Sequence, residues 1–285
     1  MDGLIAFVTG ASSGIGRQAG LALKAAGVTV YGGARREMSD LERHSIRTLN
    51  LDVTDDDSMR GAVEKILDDA GRIDILVNCA GYGSYGSIED VPLAEARRQF
   101  EVNVFGAMRL AQLVLPQMTA RHTGRIINIS SMGGLFSMAL GGWYHATKYA
   151  MEALSDSLRQ EVRPFGVDVV LIEPGLIHTE WAHTAIANLE STSGLGRYSA
   201  IAANFAAGLR FASRSMATDP EVIGGLIAHA ATTSKPHTRY RKGMGALSMT
   251  TMTSLLPDRL IDAGILFFLN HAKDLLELLT NPDDD

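Results

Sequence analysis

"TGASSGIG", residues 9–16, decides how this chain folds. It follows a short apolar run, "LIAFVTG" at 4–10, and opens a stretch of helical periodicity over 14–26. A strand that ends in glycines and passes directly into a helix is the first half of a strand–helix–strand unit. Gly10 allows the tight turn, Gly14 lets the backbone approach a phosphate, and Gly16 lets the helix pack close to the sheet. The helix start then offers unpaired N–H groups and a positive dipole end to a pyrophosphate. A P-loop is excluded, because no Gly-Lys-Ser/Thr closes the motif.

The same alternation continues outward. "VTVYGGA" (28–34), "IRTLNLDV" (46–53), "IDILVNCAG" (73–81), "GRIINISS" (124–131) and "VDVVLIEPG" (167–175) read as strands. They are nearly continuous apolar runs, as expected where both faces of a parallel sheet are covered. Residues 55–70, 97–121 and 144–165 carry helical periodicity between them. The expected fold is α/β, a doubly wound parallel sheet of Rossmann type in three α/β/α layers. No linker divides the chain, so residues 1–285 read as one domain. Residues 176–218 are poor in regular pattern but rich in apolar side chains and glycines, and read as a substrate lid. Helix returns at 219–231, with Asp219 as N-cap and Pro220 as first helical residue. Residues 244–285 form a C-terminal helical extension. "TRYRKG" (238–243) reads as a late edge strand with solvated basic residues.

Composition narrows the function. An apolar fraction of 46%, a charged fraction of 20%, a net charge of −6 and a pI near 5.8 give no footprint for nucleic acid. The single cysteine, Cys79, excludes an intramolecular disulfide and suits a reducing compartment; it reads as a small buried residue. The N-terminus lacks a signal-peptide pattern, and no apolar run reaches the ~18 residues of a spanning helix. The stretch 263–279 reads as an amphipathic helix packed on the body or on a partner subunit, so membrane contact is not expected. A cytoplasmic location is expected. The histidines, His178 and His183 included, show no metal-ligand spacing, and no metal is expected.

The end of the second strand bears on the cofactor. An NAD site wants an acid there for the ribose 2′-hydroxyl, whereas a 2′-phosphate favours arginine. The strand ends "YGGARRE" (31–37), with Arg35 and Arg36 where that phosphate would lie. NADP is favoured, with NAD still possible.

In "GGWYHATKYAMEAL" (141–154), Tyr144 and Lys148 stand four apart and share a helix face. With these residues in hand, the chain resembles the short-chain dehydrogenase/reductase family in its ordinary, non-extended branch, from residue 4 to about 180. "TGASSGIG" is similar to its TGxxxGxG, "LDVTD" (51–55) to its adenine segment and "NCAG" (78–81) to its NxAG. "NVFG" (103–106) is similar to the segment with the catalytic asparagine, "YHATK" to YxxxK and "EPGLIHT" (173–179) to PGxxxT. The resemblance implies Asn103, Ser131, Tyr144 and Lys148 as catalytic residues. It implies a cofactor site of Gly10, Ser12, Ser13, Gly14, Ile15, Gly16, Arg35, Arg36, Asp52, Val53, Asn78, Ala80, Gly81, Tyr144, Lys148, Pro174, Gly175, Ile177 and Thr179. The family's spacing selects Ser131 over Ser130; on a strand the two face opposite ways, so one reaches the cleft.

The chemistry agrees. A tyrosine with its ordinary pKa of ~10 is a poor base at neutral pH. The Lys148 ammonium and a positive nicotinamide ring would both favour phenolate and lower that value. Tyr144 then exchanges a proton with a carbonyl or alcohol oxygen that Ser131 polarises. By resemblance, Asn103 holds a water linking Lys148 to solvent. His145, next in sequence, points elsewhere. Met138, Leu140, Trp143, Leu176 and Trp181 are candidates to line an apolar pocket. The function expected is NADP-dependent interconversion of a carbonyl and an alcohol on a fairly apolar small molecule, on the hydroxysteroid/retinol dehydrogenase side of the family. A β-ketoacyl thioester reductase and a non-catalytic NADP-sensing regulator are the alternatives. A homodimer or homotetramer through helices 97–121 and 144–165 is implied.

Overall fold

The computed structural model of the protein describes residues 3–280, and the side chains among them as far as residue 275. The end of the expected extension, 281–285, lies outside the described residues. Alternation along the first strand, β1 (Ile5–Thr9), sets the layers. Ala6 and Val8 pack into one apolar cluster and Ile5 and Phe7 into another, on the opposite face. The order of elements is β1, α1 (Gly14–Ala25), β2 (Thr29–Ala34), α2 (Ser39–Glu42), β3 (Arg47–Asn50), α3 (Asp56–Ala70) and β4 (Ile75–Asn78). It continues with α4 (Leu93–Phe100), a π-helical turn (Glu101–Phe105), α5 (Gly106–Ala120), β5 (Gly124–Ile129), α6 (Gly142–Val162) and β6 (Val167–Pro174). Then come α7 (Glu180–Ser193), α8 (Ser199–Ser215), α9 (Pro220–Thr232), β7 (Arg239–Lys242), α10 (Ala246–Leu255) and α11 (Asp258–Thr280).

The strands form one parallel sheet in the order β3-β2-β1-β4-β5-β6-β7. Helices α1 and α9 cover the Ala6/Val8 face, through Leu23, Ile223 and Ile227. Helices α3 and α5 cover the other, through Ile66, Leu110 and Val114. This is the doubly wound Rossmann sheet expected from the sequence, with a helical flap and a C-terminal extension added. Asp219 caps α9 by accepting from Glu221 N at 2.8 Å, with Pro220 in the first turn, as read from the sequence.

Three expectations change. Helix 97–121 begins earlier and is interrupted by the π-helical turn that carries Asn103. Residues 176–218 contain two regular helices, α7 and α8, and are not irregular. Their apolar positions pack on two sides at once, against the sheet-end loops and against α11, and this blurs a one-sided pattern. The edge strand exists, but its arginines are not simply solvated. Arg239 Nε lies 3.0 Å from Glu173, a fully buried carboxylate on β6, and Arg241 also bonds to it. The stretch 263–279 falls within α11, which packs on α8; Leu269 is buried and Phe268 lies against Gly208.

Gly106 starts α5 where that helix crosses the segment after β3. A Cβ there would stand 2.3 Å from Val53 O, a clash that backbone must absorb. Gly106→Ala should therefore lower stability by about 2 kcal/mol despite its better helix propensity. The urea unfolding midpoint checks this.

Candidate active site

The strand order reverses between β1 and β4, so the loops leaving their carboxyl ends diverge and open a crevice. A cavity of about 690 Å³ lies there, within the size range of small-molecule sites. It is lined by Gly10, Ser12, Ser13, Gly14, Ile15, Gly16, Arg35, Arg36, Asp52, Val53, Ala80 and Gly81. Ser131, Tyr144, Lys148, Pro174, Gly175, Ile177 and Thr179 line it as well. Residues expected from scattered motifs are thus brought together, with two exceptions. Asn78 does not line the cavity. Its Nδ2 donates to Asn128 Oδ1 at 2.9 Å and to Ala107 O at 3.1 Å, joining β4, β5 and α5 beneath the site. Asn103 is buried behind the wall. Its Oδ1 accepts from Tyr82 N at 3.0 Å, and its Nδ2 donates to Tyr82 O at 2.9 Å and to Thr147 Oγ1 at 3.2 Å.

The glycine loop is shaped for an anion. Gly10 and Gly14 have φ of 67° and 52°, left-handed values that favour glycine. A Cβ on Gly16 would lie 2.3 Å from Gly10 O, so only glycine lets α1 start this close to the loop. Ser13 occupies the N-cap position of α1 without a side-chain capping bond, and the first turn has no acid. The helix's first N–H groups and positive end are left to a ligand. Arg36 Nη2 donates to Ser13 Oγ at 2.8 Å, which draws a guanidinium to the rim of this cradle, while its Nη1 pairs with Glu180 at 3.1 Å. Burial works to raise the Asp52 carboxyl, but bonds from Thr54 N and Oγ1 to Oδ1 at 2.9 and 2.7 Å, with the Arg35 and Arg98 charges, hold it below its ordinary value. A cradle for pyrophosphate, an oriented carboxylate and two arginines fit a dinucleotide.

At the other group of residues, Ser131 follows β5 in extended backbone and its Oγ accepts from Gly133 N at 3.0 Å. Ser130, the next residue back, also borders the cavity, but its Oγ lies with Glu152 against Gly134. Tyr144 and Lys148 share a face of α6, with Lys148 Nζ 5.9 Å from the Tyr144 ring centroid. Nζ donates to Ile129 O at 2.8 Å. The expected lowering of the phenol pKa is not met in the ligand-free protein. Burial pushes Tyr144 up to about 12, against a hydrogen bond with Ser131 that favours phenolate. Burial also pulls Lys148 down to about 8, opposed by Cys79 and Glu152. Taking a phenolate out of water costs more than an ammonium beyond hydrogen-bond range returns. Cys79 faces the cavity, and burial holds its thiol up at about 12, so it is no thiolate.

The remaining wall is aromatic. Tyr85 stacks on Phe205 with centroids 5.4 Å apart, meets Trp181 edge-on at 5.7 Å and lies 5.7 Å from Tyr144. Of the five apolar candidates, Met138, Leu176 and Trp181 line the cavity and Leu140 and Trp143 do not. His145 lines it too, contrary to expectation: the ring is buried, bonds to Gly133 O through Nδ1 at 2.9 Å, and burial keeps its pKa low. Sequence reasoning missed Tyr82, Tyr85, Phe136, Glu95, Arg98, Thr184 and Asn188. Two aromatics directly after "NCAG", in "GYGSY" (81–85), were the one available signal.

The family model described as short chain dehydrogenase matches residues 4–190. The chain belongs to the short-chain dehydrogenase family. This short-chain dehydrogenase is 32% identical over 271 residues to a 3-ketodihydrosphingosine reductase of Bacteroides thetaiotaomicron, covering 94% of this chain and 98% of that one. It is 35% identical over 277 residues to an NADPH-dependent 3-dehydrocapnine reductase of Ornithobacterium rhinotracheale, covering 90% and 94%. The crystal structure of a short-chain dehydrogenase from Streptomyces avermitilis superposes with a TM-score of 0.73 at 31% identity, over 96% of this chain and 99% of that one. The protein is therefore an NAD(P)-dependent dehydrogenase/reductase.

The titration of Tyr144 is measurable. In the ligand-free protein, the difference in 295 nm absorbance between wild type and Tyr144→Phe should stay flat up to pH 10. A phenolate appearing near pH 7 without cofactor would contradict the dominance of burial.

Proposed function

We propose that this dehydrogenase uses NADP to interconvert a ketone and a secondary alcohol on a fairly apolar chain, with Tyr144 as acid and base. The observation that carries the reading is the aromatic wall of Tyr85 and Trp181, built directly around Tyr144, with Phe205 stacked behind Tyr85. Two relatives are named as reductases of a 3-keto or 3-dehydro compound, which supports a ketone at the reacting end. NADP, in place of NAD, is supported by Arg35 and Arg36 at the cavity and by the NADPH dependence in the name of one relative.

NADP, when bound, supplies the hydride chemistry. The cradle of Gly10, Gly14 and the α1 start would bind its pyrophosphate, Asp52 and Val53 would meet the adenine, and Arg35 and Arg36 would hold the 2′-phosphate. In reduction, Tyr144 Oη donates a proton to the carbonyl oxygen while Ser131 Oγ hydrogen-bonds the same oxygen and stabilises its developing charge. Lys148 would hold the nicotinamide ribose, and its ammonium favours the phenolate that Tyr144 becomes. Asn103 fixes the Tyr82 backbone and, through Thr147, the first turn of α6; Thr147 Oγ1 donates to Tyr144 O at 2.7 Å. Residues 176–218 act as the lid that excludes water. Trp181 sits against Gly83, and Ser193 Oγ accepts from Ser87 N at 2.9 Å, so the lid closes on the loop after β4. The same reading takes residues 1–285 as one catalytic domain in the cytoplasm. It assembles as a homodimer or homotetramer through α5 and α6, with Phe105 just before α5 and Tyr149 and Leu154 on α6 exposed. Among the described residues, no helix is long and apolar enough to cross a membrane.

An NADPH-oxidation assay over 3-ketodihydrosphingosine, steroid and aromatic ketones, retinal, acetoacetyl thioesters and sugars tests the substrate class. Apolar ketones should give the highest kcat/KM, and sugars or charged acids ranking first would overturn the pocket argument. Tyr144→Phe should lose at least ~10³-fold in kcat with NADPH affinity nearly intact. The Arg35→Ala, Arg36→Ala double variant should bind NADPH at least ~10-fold more weakly while NADH binding is unchanged, read by fluorescence titration.

A further inference from the structure

Tyr144, Lys148, Glu152 and Asp156 stand four residues apart along α6. At ~3.6 residues per turn they form a single ridge. Tyr144 and Lys148 face the cavity; Glu152 does not, yet it is only 7% exposed. A carboxylate is seldom buried without a partner, and this one has an elaborate set. Its Oε2 accepts from Arg239 Nη2 at 3.2 Å and Nε at 3.3 Å. Arg239 also reaches Asp156 Oδ2 at 2.7 Å and Glu173 Oε1 at 3.0 Å, and Arg241 clamps Glu173 from the far side. The Ser130 hydroxyl stands beside Glu152 as well and favours its ionised form.

Lys148 needs such a neighbour. Among the described residues its buried ammonium makes a single hydrogen bond, to Ile129 O. The titratable groups that face it are Tyr144 and Glu152 on α6 and Cys79 at the end of β4. Tyr144 and Cys79 are held in their neutral forms by burial. The negative charge within reach is that of Glu152.

We propose that Glu152, kept ionised by Arg239 from the edge strand, is a positioning residue that keeps the Lys148 ammonium charged at neutral pH. The inference rests on the reading of Tyr144 and Lys148 as the reacting pair. The balance is fine on both sides. Burial brings Lys148 down to about 8, close to working pH, and the Glu152 charge opposes that fall. Burial raises the Glu152 carboxyl too, and Glu173 adds to the rise, while Ser130 and Arg239 resist it. The groups set around Glu152 are Ser130, Glu173 on β6 and Arg239 on β7, with Asp156 one turn further on sharing the guanidinium.

The test is the pH profile of kcat/KM for ketone reduction, which falls on the alkaline side as the Tyr144–Lys148 pair loses its first proton. Glu152→Gln removes the charge at nearly constant shape. It should move that alkaline limb down by about one pH unit, with NADPH affinity at pH 6 changed less than about threefold. Glu152→Asp should restore most of the wild-type profile, which a purely structural role does not require. An alkaline limb in Glu152→Gln at the wild-type position overturns the proposal. Should Glu152→Gln fail to fold, Arg239→Gln leaves Glu152 in place with weaker support. Its limb should move in the same direction by a smaller amount, and an unmoved limb there is equally fatal. The underlying reading fails separately: a Tyr144→Phe variant with full turnover removes the reacting pair whatever Glu152→Gln does. A dead Tyr144→Phe beside an unmoved Glu152→Gln limb removes only the role of Glu152.

Discussion

The meeting of two loops at the reversal of the sheet holds the rest of the molecule in place. Thr9 Oγ1 accepts from both Cys79 N and Ala80 N at 3.0 Å, so a hydroxyl at the end of β1 satisfies two backbone donors after β4. One residue on, Gly10 approaches so closely that a Cβ would stand 2.9 Å from Ala80 Cα. The chain can make this contact only with a glycine at positive φ and a short polar side chain before it. From it follow the tight entry into α1, the open cradle at that helix's start, and the crevice between diverging loops. The "TGASSGIG" motif is therefore a statement about packing at the switch point as much as about phosphate.

Within the crevice, desolvation sets the terms. Tyr144, Lys148 and Glu152 are each at most 8% exposed, and each is pushed toward its neutral form. A group poised this way changes charge readily when a neighbour does. A fully solvated tyrosine and lysine at the same spacing would titrate independently and respond little to a ligand. Burial that looks unfavourable in the ligand-free protein is what makes the pair responsive.

Much of this was legible in the sequence, for reasons that can be named. The strands were readable because both faces are covered, so "IDILVN" and "VDVVLI" are apolar almost throughout. Gly10, Gly14 and Gly16 were readable because no other residue fits their geometry. The Tyr144–Lys148 pair was readable because helical spacing places i and i+4 together. The turn of the Asn78 and His145 side chains was not readable, because a residue's neighbours in a motif do not say which way its side chain points. Asn78 faces the interior of the sheet–helix contact, and His145 is folded back under Gly133. The partners of Glu152 were invisible for a different reason. Arg239 lies 87 residues further along the chain, and only the parallel pairing of β7 with β6 brings it there.

The division of labour between the sheet-bearing body and the C-terminal third has a physical basis. The reacting atoms are fixed just after β5, a strand inside the sheet, and on α6, which packs on β6, and their geometry tolerates little change. The aromatic cluster around Tyr144 is assembled differently. Tyr85 comes from the loop after β4, Trp181 from α7 and Phe205 from α8, while Leu269 of α11 closes the same cluster from outside. Its helices touch the body through side chains and a few loop contacts, such as Ser193 with Ser87, and not through sheet hydrogen bonds. Changes of shape at Trp181 or Phe205 can thus be absorbed by small movements of α7 and α8, leaving Ser131, Tyr144 and Lys148 where they are. A fold arranged this way keeps one proton-transfer geometry and lets the lid decide which ketone reaches it.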